Sequence, residues 1–379
     1  MRIVMFYHSL VSDWNHGNAH FLRGVVTELL ARGHNVDVLE PAAGWSRENL
    51  LRERGPEAVE SFHRAYPGLQ SRLYDFPTLD LDHALDGADL VMVHEWNEPP
   101  LVEAIGRHRA ESGGYHLLFH DTHHRSVTDQ QEMARYPLQH YDGVLAFGEV
   151  IRRRYLEEGW TERVWTWHEA ADVRVFSPRP SQAHLGDLVW IGNWGDEERT
   201  AELEEFLIGP VERLGLTAQV HGVRYPPDAR NRLTESGISY RGWLPNYLAP
   251  EVFAAFSLTV HIPRRPYVEA LPGIPTIRVF EALACGIPLI CSPWQDAEGL
   301  FSPGSDYLVA KTGKEMRQLM AGLLADRDAA DAMAERGRKT ILDRHTCGHR
   351  VDELLGLVEE LKPKRIRGHR KETRVGILK

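Results

Sequence analysis

Residues 275–292 constrain the fold of this chain more than any other stretch. They read PTIRVFEALACGIPLICS, which is a short apolar helix with one carboxylate, then a glycine, then an apolar strand. Thr276 stands at the N-cap position, and Gly286 stands where a helix ends in a left-handed backbone conformation. Pro288 cannot continue the helix, and the apolar residues after it are typical of a central parallel strand. The stretch therefore predicts one helix-to-strand unit of an α/β sheet.

Glu281 is the exception within this apolar helix. Most of its near neighbours along the chain are apolar, so an ionised carboxylate here requires a partner such as a sugar hydroxyl or an arginine. The backbone N–H groups at the start of the helix form an anion site. A phosphate there and a ribose diol on Glu281 would together hold a nucleotide sugar. Alternatively, Glu281 pairs with Arg278 on an exposed face, and Arg278 fits two roles equally: reaching a pyrophosphate or holding Glu281.

The same stretch resembles the donor-binding helix of GT-B glycosyltransferases of the retaining, group 1 type. The longer run 253–358 is similar to the C-terminal module of the CgeB-like spore-maturation glycosyltransferases. The shared motifs are R-x-FEALACG at 278–286 and EGLF-x-PG at 298–304, followed by a strand and two amphipathic helices. The resemblance implies two Rossmann-like domains facing each other across a cleft. It also implies transfer of a sugar from a nucleotide diphosphate.

The chain departs from this pattern at one position. Enzymes of this type usually carry a second glutamate eight residues before the first, near the donor sugar and its phosphates. Gly273 stands there instead, and the nearest acid upstream is Glu269. The resemblance still places Gly273, Ile274 and Thr276 at the donor. The sugar-side contact and the retaining outcome are left open.

Composition narrows the classes of protein that the chain can represent. With 379 residues it is long enough for two domains, and a net charge of −10 gives no electrostatic reason to expect nucleic-acid binding. Three cysteines are interpreted as reduced core thiols of a cytoplasmic protein. The chain opens directly into a strand, so we expect no secretory signal or spanning helix. Residues 362–379 carry eight Lys or Arg against one Glu, which fits a solvated terminus or weak contact with an anionic membrane surface.

Strand and helix patterns alternate along the chain, which favours doubly wound parallel sheets. Strands are predicted at 2–7, 36–39, 90–93, 115–119, 143–147, 164–167, 188–192, 218–221, 258–261 and 289–291, with a helix at 19–31 after the first. The polar segment 46–73 is predicted to be a helical insertion on the outside. Proline and serine near residue 178 mark a linker. The predicted domains are 1–178 and 179–345, followed by 346–379, a helix crossing back to the first domain and a basic tail.

Several candidate donor-binding residues follow predicted strands of the second domain. Asn193 lies in a glycine-containing turn, and Arg199 follows at the next helix start. Such a turn lets backbone approach a phosphate, and an arginine can clamp it. Arg264 and Arg265 follow another strand and can face the diphosphate. Trp243 lies in an RGW segment that resembles the family's base-reading segment, with base stacking and a structural role both open.

Candidate acceptor-side residues follow strands of the first domain. His16, Gly17 and Asn18 come after the first strand, where small residues admit a ligand near a helix N-terminus. His120 and Asp121 come at the cleft-facing end of another strand, and a histidine at this place contacts the donor sugar in the resembled family. Retaining transfer needs no protein base if the leaving phosphate takes the acceptor proton. An inverting reaction would need one, and His120, Asp121 and His16 are the candidates.

Two sequence patterns resemble metal sites, but we do not interpret either as one. In HDTHH at 120–124, consecutive residues of an extended chain point in opposite directions. In Asp-x-Asp at 80–82, the first aspartate is expected to cap a short helix. We therefore predict no metal and no cofactor. The predicted partners are a nucleotide-sugar donor, with UDP as the expected nucleotide, and a small-molecule, glycan or peptide acceptor.

Two other functions remain open from the sequence. The first is a sugar-nucleotide epimerase of the same fold, which would need acid and base carboxylates in the cleft. Glu95, Asp121 and Glu169 are the candidates for that role. The second is a non-catalytic coat or scaffold protein that keeps the nucleotide cleft, which the glycine at position 273 favours.

Overall fold

The computed structural model describes residues 1–180 and 183–361, and within them the strands form two parallel sheets. The first sheet has the order β3-β2-β1-β4-β5-β6-β7 and the second the order β10-β9-β8-β11-β12-β13. The strands of the first sheet are β1 (Arg2–Phe6), β2 (Asn35–Pro41), β3 (Ser71–Tyr74), β4 (Leu90–His94), β5 (His116–Asp121), β6 (Gly143–Ala146) and β7 (Val164–Thr166). Those of the second are β8 (Gly186–Ile191), β9 (Ala218–His221), β10 (Ser239–Tyr240), β11 (Phe256–His261), β12 (Leu289–Cys291) and β13 (Leu308–Val309).

Helices connect the strands on both faces of each sheet. Around the first sheet they are α1 (Ala19–Ala31), α2 (Trp45–Arg54), α3 (Glu57–Ala65), α4 (Leu81–Leu85), α5 (Pro99–Ser112), α6 (Arg125–Thr128), α7 (Gln130–Met133) and α8 (Glu149–Glu157). After residue 183 they are α9 (Thr200–Leu203), α10 (Gly209–Leu214), α11 (Pro227–Glu235), α12 (Ala249–Ala254), α13 (Arg265–Glu269), α14 (Ile277–Cys285), α15 (Gly313–Ala325), α16 (Arg327–Arg344) and α17 (Cys347–Leu361). The predicted α/β fold with two doubly wound parallel sheets is confirmed.

The central strands are apolar throughout because both faces of each sheet are covered. In β1, Ile3, Val4, Met5 and Phe6 are all fully buried, as expected for a strand between two helical layers. The helix α14 begins and ends as predicted, with Gly286 at φ 68° after its last residue. The three cysteines are buried and free, also as predicted.

The last described helix, α17, packs against α1 on the first sheet. Trp167 Nε1 donates a hydrogen bond of 2.9 Å to the backbone oxygen of Arg350, joining this helix to the end of the first sheet. Cys347 lies so close to α1 that a Cβ atom on Gly24 would be 2.4 Å from its Sγ. No helix in the ranges 1–180 and 183–361 is long and apolar enough to cross a membrane. The basic tail, with its predicted membrane-surface contact, lies outside the described residues.

The prediction for residues 46–73 is partly wrong. The segment holds α2 and α3, but it is not an outer insertion, because Leu50 and Phe62 are buried and Ser71 begins the edge strand β3. This strand pairs with β2 in parallel, with Leu39 opposite Arg72. A short edge strand with polar side chains lacks the apolar run by which central strands are recognised. The same reason explains why β10 was missed.

Candidate active site

A cavity of about 890 Å³ lies between the two sheets, at the carboxyl ends of their strands. Loops after β1, β2, β3, β4 and β5 form one wall, which we call the first-domain wall. Loops after β8, β9, β10 and β11, together with the start of α14, form the second-domain wall. Ligands of open α/β sheets bind at this edge, and the volume is within the range of small-molecule sites. The cavity is therefore the candidate active site.

The structure brings most, but not all, of the predicted site residues to this cavity. Those that line it are His16, Gly17, Asn18, Asn193, Arg199, Trp243, Arg264, Thr276 and Arg278. Those that do not line it are His120, Asp121, Gly273, Ile274 and Glu281. The second group is buried in the walls behind the cavity surface.

Four arginines line the second-domain wall: Arg199, Arg224, Arg264 and Arg278. Among the described residues of the second domain, no aspartate or glutamate lines the cavity. Three of the four arginines are paired with carboxylates outside the cavity lining, Arg224 with Asp196, Arg264 with Glu198 and Arg278 with Glu281. Guanidinium groups are suited to bidentate binding of phosphate. Arg224 was missed from the sequence, although its position just after β9 is the same signal that identified the others.

Arg199 is half-buried and has no carboxylate partner among the described residues. Its Nη1 donates a hydrogen bond of 2.8 Å to the backbone oxygen of Ile262, and its other nitrogens bind the backbone oxygens of Asn193 and Trp194. Burial, with repulsion from Arg264, lowers the pKa of Arg199 to about 10, so it remains charged at neutral pH. These bonds hold a cation rigidly at the carboxyl ends of β8 and β11.

The other predicted arginines differ in their partners. Arg264 Nη1 lies 3.3 Å from Glu198 Oε2 and is partly exposed in the cavity. Arg265 instead points away from the cavity and pairs with Glu202 at 2.8 Å, so its predicted contact with the diphosphate finds no support in the geometry. Arg278 forms an ion pair with Glu281 and still lines the cavity. It holds Glu281 and faces the cavity at once, so the two roles do not exclude each other.

Thr276 stands at the N-cap position of α14, but its side chain makes no capping hydrogen bond. Its hydroxyl is instead hydrogen-bonded to His261 Nε2 at 2.9 Å, across the end of β11. The prediction of a side-chain cap is therefore wrong in this detail. The N–H groups that begin α14 have no side-chain cap, and Thr276, Ile277 and Arg278 all line the cavity. This helix start can accept an anion.

Glu281 is fully buried and is held by an imidazole and a guanidinium group from different parts of the chain. Its Oε1 accepts a hydrogen bond of 2.9 Å from Nδ1 of His20 on α1, and its Oε2 binds Arg278. His20 Nε2 accepts a hydrogen bond of 2.9 Å from the backbone N–H of Asp172, so Nδ1 carries the donated proton. Burial raises the pKa of Glu281, but Arg278 and His20 outweigh burial and the pKa lies below its usual value. The predicted partner is thus found within the protein, and the ribose contact stays a prediction.

Gly273 has a backbone φ of 94°, a conformation that residues other than glycine rarely adopt. A Cβ atom here would lie 2.7 Å from Cγ of Glu298. Glu298 accepts a hydrogen bond of 2.9 Å from the backbone N–H of Glu149 and pairs with His168 Nε2 at 2.7 Å, so it bridges the two sheets. Glu298 therefore fills the space where the family's upstream glutamate would begin. Gly273 lies beside this bridge behind the wall, and Ile274 packs against Gly148 of the first domain.

His120 and Asp121 lie behind the first-domain wall because β5 extends through them, two residues further than predicted. His120 bonds Tyr7, and burial lowers its pKa to about 3. Asp121 accepts a hydrogen bond of 2.9 Å from Tyr155, and burial raises its pKa to about 6. The next two residues, Thr122 and His123, reach the cavity instead. A direct catalytic contact by His120 or Asp121 finds no support in this geometry.

The two other carboxylates considered for an epimerase are also outside the cavity lining. Glu95 is fully buried and binds Arg125, and burial raises its pKa to about 8. Glu169 is buried without a partner for its Oε1, and burial together with Glu281 raises its pKa to about 8. The geometry gives neither residue access to a sugar.

His16, Gly17 and Asn18 meet the cavity where the two walls come together. His16 is 93 % buried, and its Nε2 has no hydrogen-bond partner. Burial lowers its pKa well below 6.5, so the imidazole is neutral and a ring nitrogen can accept a hydrogen bond. A Cβ atom on Gly17 would lie 3.0 Å from Ile277, which lets this loop approach the start of α14. Asn18 donates to Thr122 Oγ1 at 2.5 Å.

Trp243 and Asn193 connect the second-domain wall to the loop after β1. Trp243 Nε1 donates a hydrogen bond of 2.9 Å to Asp13, and the side-chain amide of Asn193 donates to Asn15. Both residues line the cavity while making these contacts. A structural role for Trp243 is therefore present, and base stacking by its indole stays a prediction.

The described ranges contain no group of three or more His, Cys, Asp or Glu side chains that could hold a metal ion. In the HDTHH segment, Asp121 is bound to Tyr155 and to the backbone N–H of His123. The Asp-x-Asp pattern is a helix start, because Asp80 Oδ1 accepts a hydrogen bond of 3.0 Å from the backbone N–H of His83. The interpretation of Asp80 as the cap of a short helix is confirmed.

Comparison with solved structures shows that the two sheets and the cleft have the GT-B arrangement. A sucrose-phosphate synthase from Thermosynechococcus elongatus aligns with a TM-score of 0.64 at 15 % identity, covering 95 % of this chain and 99 % of that one. The Anabaena protein HepE in complex with UDP and glucose aligns with a TM-score of 0.67 at 14 % identity, covering 95 % and 100 %. An alpha-glucosyltransferase in complex with UDP and a 13-mer DNA aligns with a TM-score of 0.68 at 12 % identity, covering 95 % and 99 %. At these identities the likeness shows the fold, and the predicted GT-B class is confirmed.

Sequence comparison finds a family model that matches part of the chain. Residues 199–356 match the model of a glycosyl transferase-like family. This range includes Arg199, Arg264 and the whole of α14, and therefore most of the second-domain wall. No curated protein sequence matches the chain. The resemblance to the CgeB-like module stays a prediction.

Proposed function

We propose that this protein is a glycosyltransferase that moves a sugar from a nucleotide diphosphate, UDP in the first instance, to an acceptor on the first-domain wall. The observation that carries the proposal is the cavity itself, with four arginines on the second-domain wall and none on the wall opposite. The family match over residues 199–356 and the UDP complexes of fold neighbours support the same donor class.

The arginines and the start of α14 would stabilise the leaving diphosphate. Charge develops on that group as the glycosidic bond to phosphate breaks, and fixed cations aimed at it lower the barrier. Arg199 is held by backbone carbonyls, and Arg278 is held by Glu281. Glu281 then acts by orienting Arg278 towards the diphosphate. We propose that these groups replace a metal ion and that no cofactor is needed.

Retention of anomeric configuration is the stereochemical part of the proposal. In that reaction the leaving phosphate takes the proton of the acceptor hydroxyl, and no protein base is required. His16 lines the cavity with a neutral imidazole whose buried Nε2 has no partner, and it would orient the hydroxyl by accepting its hydrogen bond. Closure of the two walls would exclude water from the donor.

Turnover of nucleotide sugars tests the proposal. The purified protein is incubated with UDP-glucose, UDP-galactose and UDP-N-acetylglucosamine in EDTA, and release of UDP is measured with and without added sugars. We expect slow hydrolysis of at least one donor that is accelerated by an acceptor. Absence of both turnover and UDP binding would refute the proposal.

A non-catalytic nucleotide-binding protein is the second candidate. It is favoured by the lack of any described second-domain carboxylate on the cavity and by the glycine at position 273. The same experiment distinguishes the two functions, because a binding protein would bind UDP without hydrolysing any UDP-sugar or transferring its sugar.

A further inference from the structure

The first-domain wall carries the two exposed tryptophans of the chain. Trp45 is 46 % exposed and Trp96 is 42 % exposed, and both line the cavity, whereas the other eight tryptophans are buried or half-buried. Trp45 contacts Trp14, and one face of Trp96 is contacted by Arg125, so each indole is partly supported and partly open to the cavity. Exposed aromatic rings in a binding cavity can stack against the apolar face of a ligand. Two such rings on one wall indicate a site for a ligand with a flat apolar face.

Hydrogen bonds between loops hold this part of the wall in place. The backbone N–H of Ala42 donates to the oxygen of Tyr74 at 2.8 Å, and the hydroxyl of Tyr74 donates to Asn97 Oδ1 at 2.8 Å. Asn97 Nδ2 in turn donates to the oxygen of Phe6 at 2.8 Å. The loops after β2, β3 and β4 are thus tied to one another and to β1. The indoles next to them stand on a preformed surface.

Two carboxylates without partners lie beside the tryptophans. Asp75 and Glu98 line the cavity and are exposed, and within the described residues neither side chain makes an ion pair or hydrogen bond. No lysine or arginine in the described first-domain loops lines the cavity, and Arg125, whose guanidinium lies 4.5 Å from the centre of the Trp96 ring, is paired with Glu95. The unpaired carboxylates of the first-domain wall therefore face a wall lined by arginines across the cleft. An acceptor that carries phosphate or carboxylate would be repelled by these carboxylates.

His16 is an independent observation that the cavity binds a polar ligand next to the first-domain wall. Its Nε2 is buried without a partner while the side chain lines the cavity, and a buried unpaired polar atom costs free energy until it is satisfied. Its ring lies 4.8 Å from that of His8, which in turn lies 5.7 Å from the ring of Trp96. His8 thus lies between the His16 ring and Trp96.

We infer that the acceptor is a sugar ring without phosphate or carboxylate groups, stacked on the indoles of Trp45 and Trp96. Asp75 and Glu98 accept hydrogen bonds from its hydroxyls, and His16 orients the hydroxyl that reacts. The acceptor oxygen bonds to the anomeric carbon of the donor, the bond from that carbon to the diphosphate breaks, and the acceptor proton leaves with the diphosphate. The inference rests on the proposed function and names the acceptor class, which distinguishes this chain from the fold neighbour bound to DNA.

Binding of simple sugars to the UDP-saturated protein tests this inference. The probes are methyl β-glucopyranoside, methyl α-mannopyranoside, N-acetylglucosamine and cellotriose, compared with glucose 6-phosphate and glucuronic acid. Saturation-transfer NMR detects binding, and calorimetry gives the dissociation constants. We expect at least one uncharged probe to bind, and both anionic sugars to bind at least tenfold more weakly.

Substitutions test whether the sugar binds to the first-domain wall. Trp96→Ala and Trp45→Ala should each weaken binding of the uncharged sugar at least fivefold while UDP affinity stays within twofold. Trp160→Ala removes an indole outside the cavity lining and serves as the matched control. The double variant Asp75→Asn with Glu98→Gln should narrow the difference between neutral and anionic sugars. Melting temperatures of all variants check that they are folded.

Two results would overturn the inference and leave the proposed function intact. The first is UDP binding with no binding of any uncharged probe. The second is binding of an anionic sugar as tight as that of its neutral counterpart. Failure of UDP itself to bind would instead refute the proposed function.

Discussion

Oε1 of Glu281 lies 2.9 Å from Nδ1 of His20, so a carboxylate on α14 and an imidazole on α1 form a buried hydrogen bond between the two sheets. Glu281 also holds Arg278, which lines the cavity. One carboxylate thus joins the domains and orients a cavity cation.

Glu281→Ala should destabilise the protein strongly. It leaves His20 without its hydrogen-bond acceptor and Arg278 without its anion. Removing one partner of a buried pair costs about 3–5 kcal/mol of unfolding free energy. Urea denaturation followed by circular dichroism measures the loss. The control is Glu335→Ala at an exposed pair with Arg338, which should cost less than about 1 kcal/mol. Equal effects of the two changes would show that the buried contact does not form.

Gly273→Ala should lower stability by roughly 1–3 kcal/mol, because the new Cβ meets Glu298 and the φ of 94° strains any L side chain. The bridge from Glu298 to His168 would be disturbed at the same time. Thermal and urea unfolding measure the effect. Gly68→Ala, where an added Cβ would meet nothing within 4 Å, is the control. An unaffected Gly273→Ala variant would mean that the glycine is not required by the backbone.

Arg264→Gln should weaken UDP binding by about 10-fold to 100-fold, since hydrogen bonds to charged groups contribute roughly 1.5–3 kcal/mol. Arg265→Gln is a matched control, because the adjacent arginine is exposed, pairs with Glu202 and lies outside the cavity lining. Calorimetric titration with UDP compares the two variants. If both lose affinity equally, the effect is one of net charge and the cavity assignment of Arg264 is wrong.

Acidification should destabilise the protein because several histidines are buried in the neutral form. Substitution of His120 measures the contribution of one of them. Burial lowers the pKa of His120 to about 3, so between pH 6.5 and 3 the unfolded chain binds a proton there and the folded chain does not. The unfolding free energy therefore falls by about 1.4 kcal/mol per pH unit on acidification in this window. His120→Gln should lower the total slope by this amount, measured by urea unfolding between about pH 5.5 and about pH 4, while other buried histidines such as His16 keep their own contributions. An exposed substitution, His63→Gln, should leave the slope unchanged. An unaltered slope in His120→Gln would mean that His120 is protonated in the folded state.

The fold was predictable because its signals are local. The apolar runs of β1 and β11 and the glycine that ends α14 each report on their own few residues. Edge strands such as β3 and β10 lack those runs, so their pairing depends on neighbours distant in sequence. Strand ends were the least certain, and the extension of β5 by two residues moved His120 and Asp121 away from the cavity surface.

The site was only partly predictable because partners come from distant parts of the chain. No sequence feature near Glu281 indicates that its partner is His20, which lies 261 residues earlier. Gly273 departs from the family pattern, and only the structure shows that Glu298 occupies the adjacent space. Trp45 and Trp96 were not singled out, because a tryptophan in sequence gives no sign of whether it is buried or exposed.

Calorimetric titration of the wild-type protein with UDP, GDP, dTDP and ADP in EDTA tests the central claim most directly. The account predicts that UDP binds without a metal ion, because the arginines of the second-domain wall supply the charge that a cation would. It also predicts that UDP binds more tightly than the other three diphosphates. If none of the four binds, the cavity is not a nucleotide-sugar site and the account is contradicted.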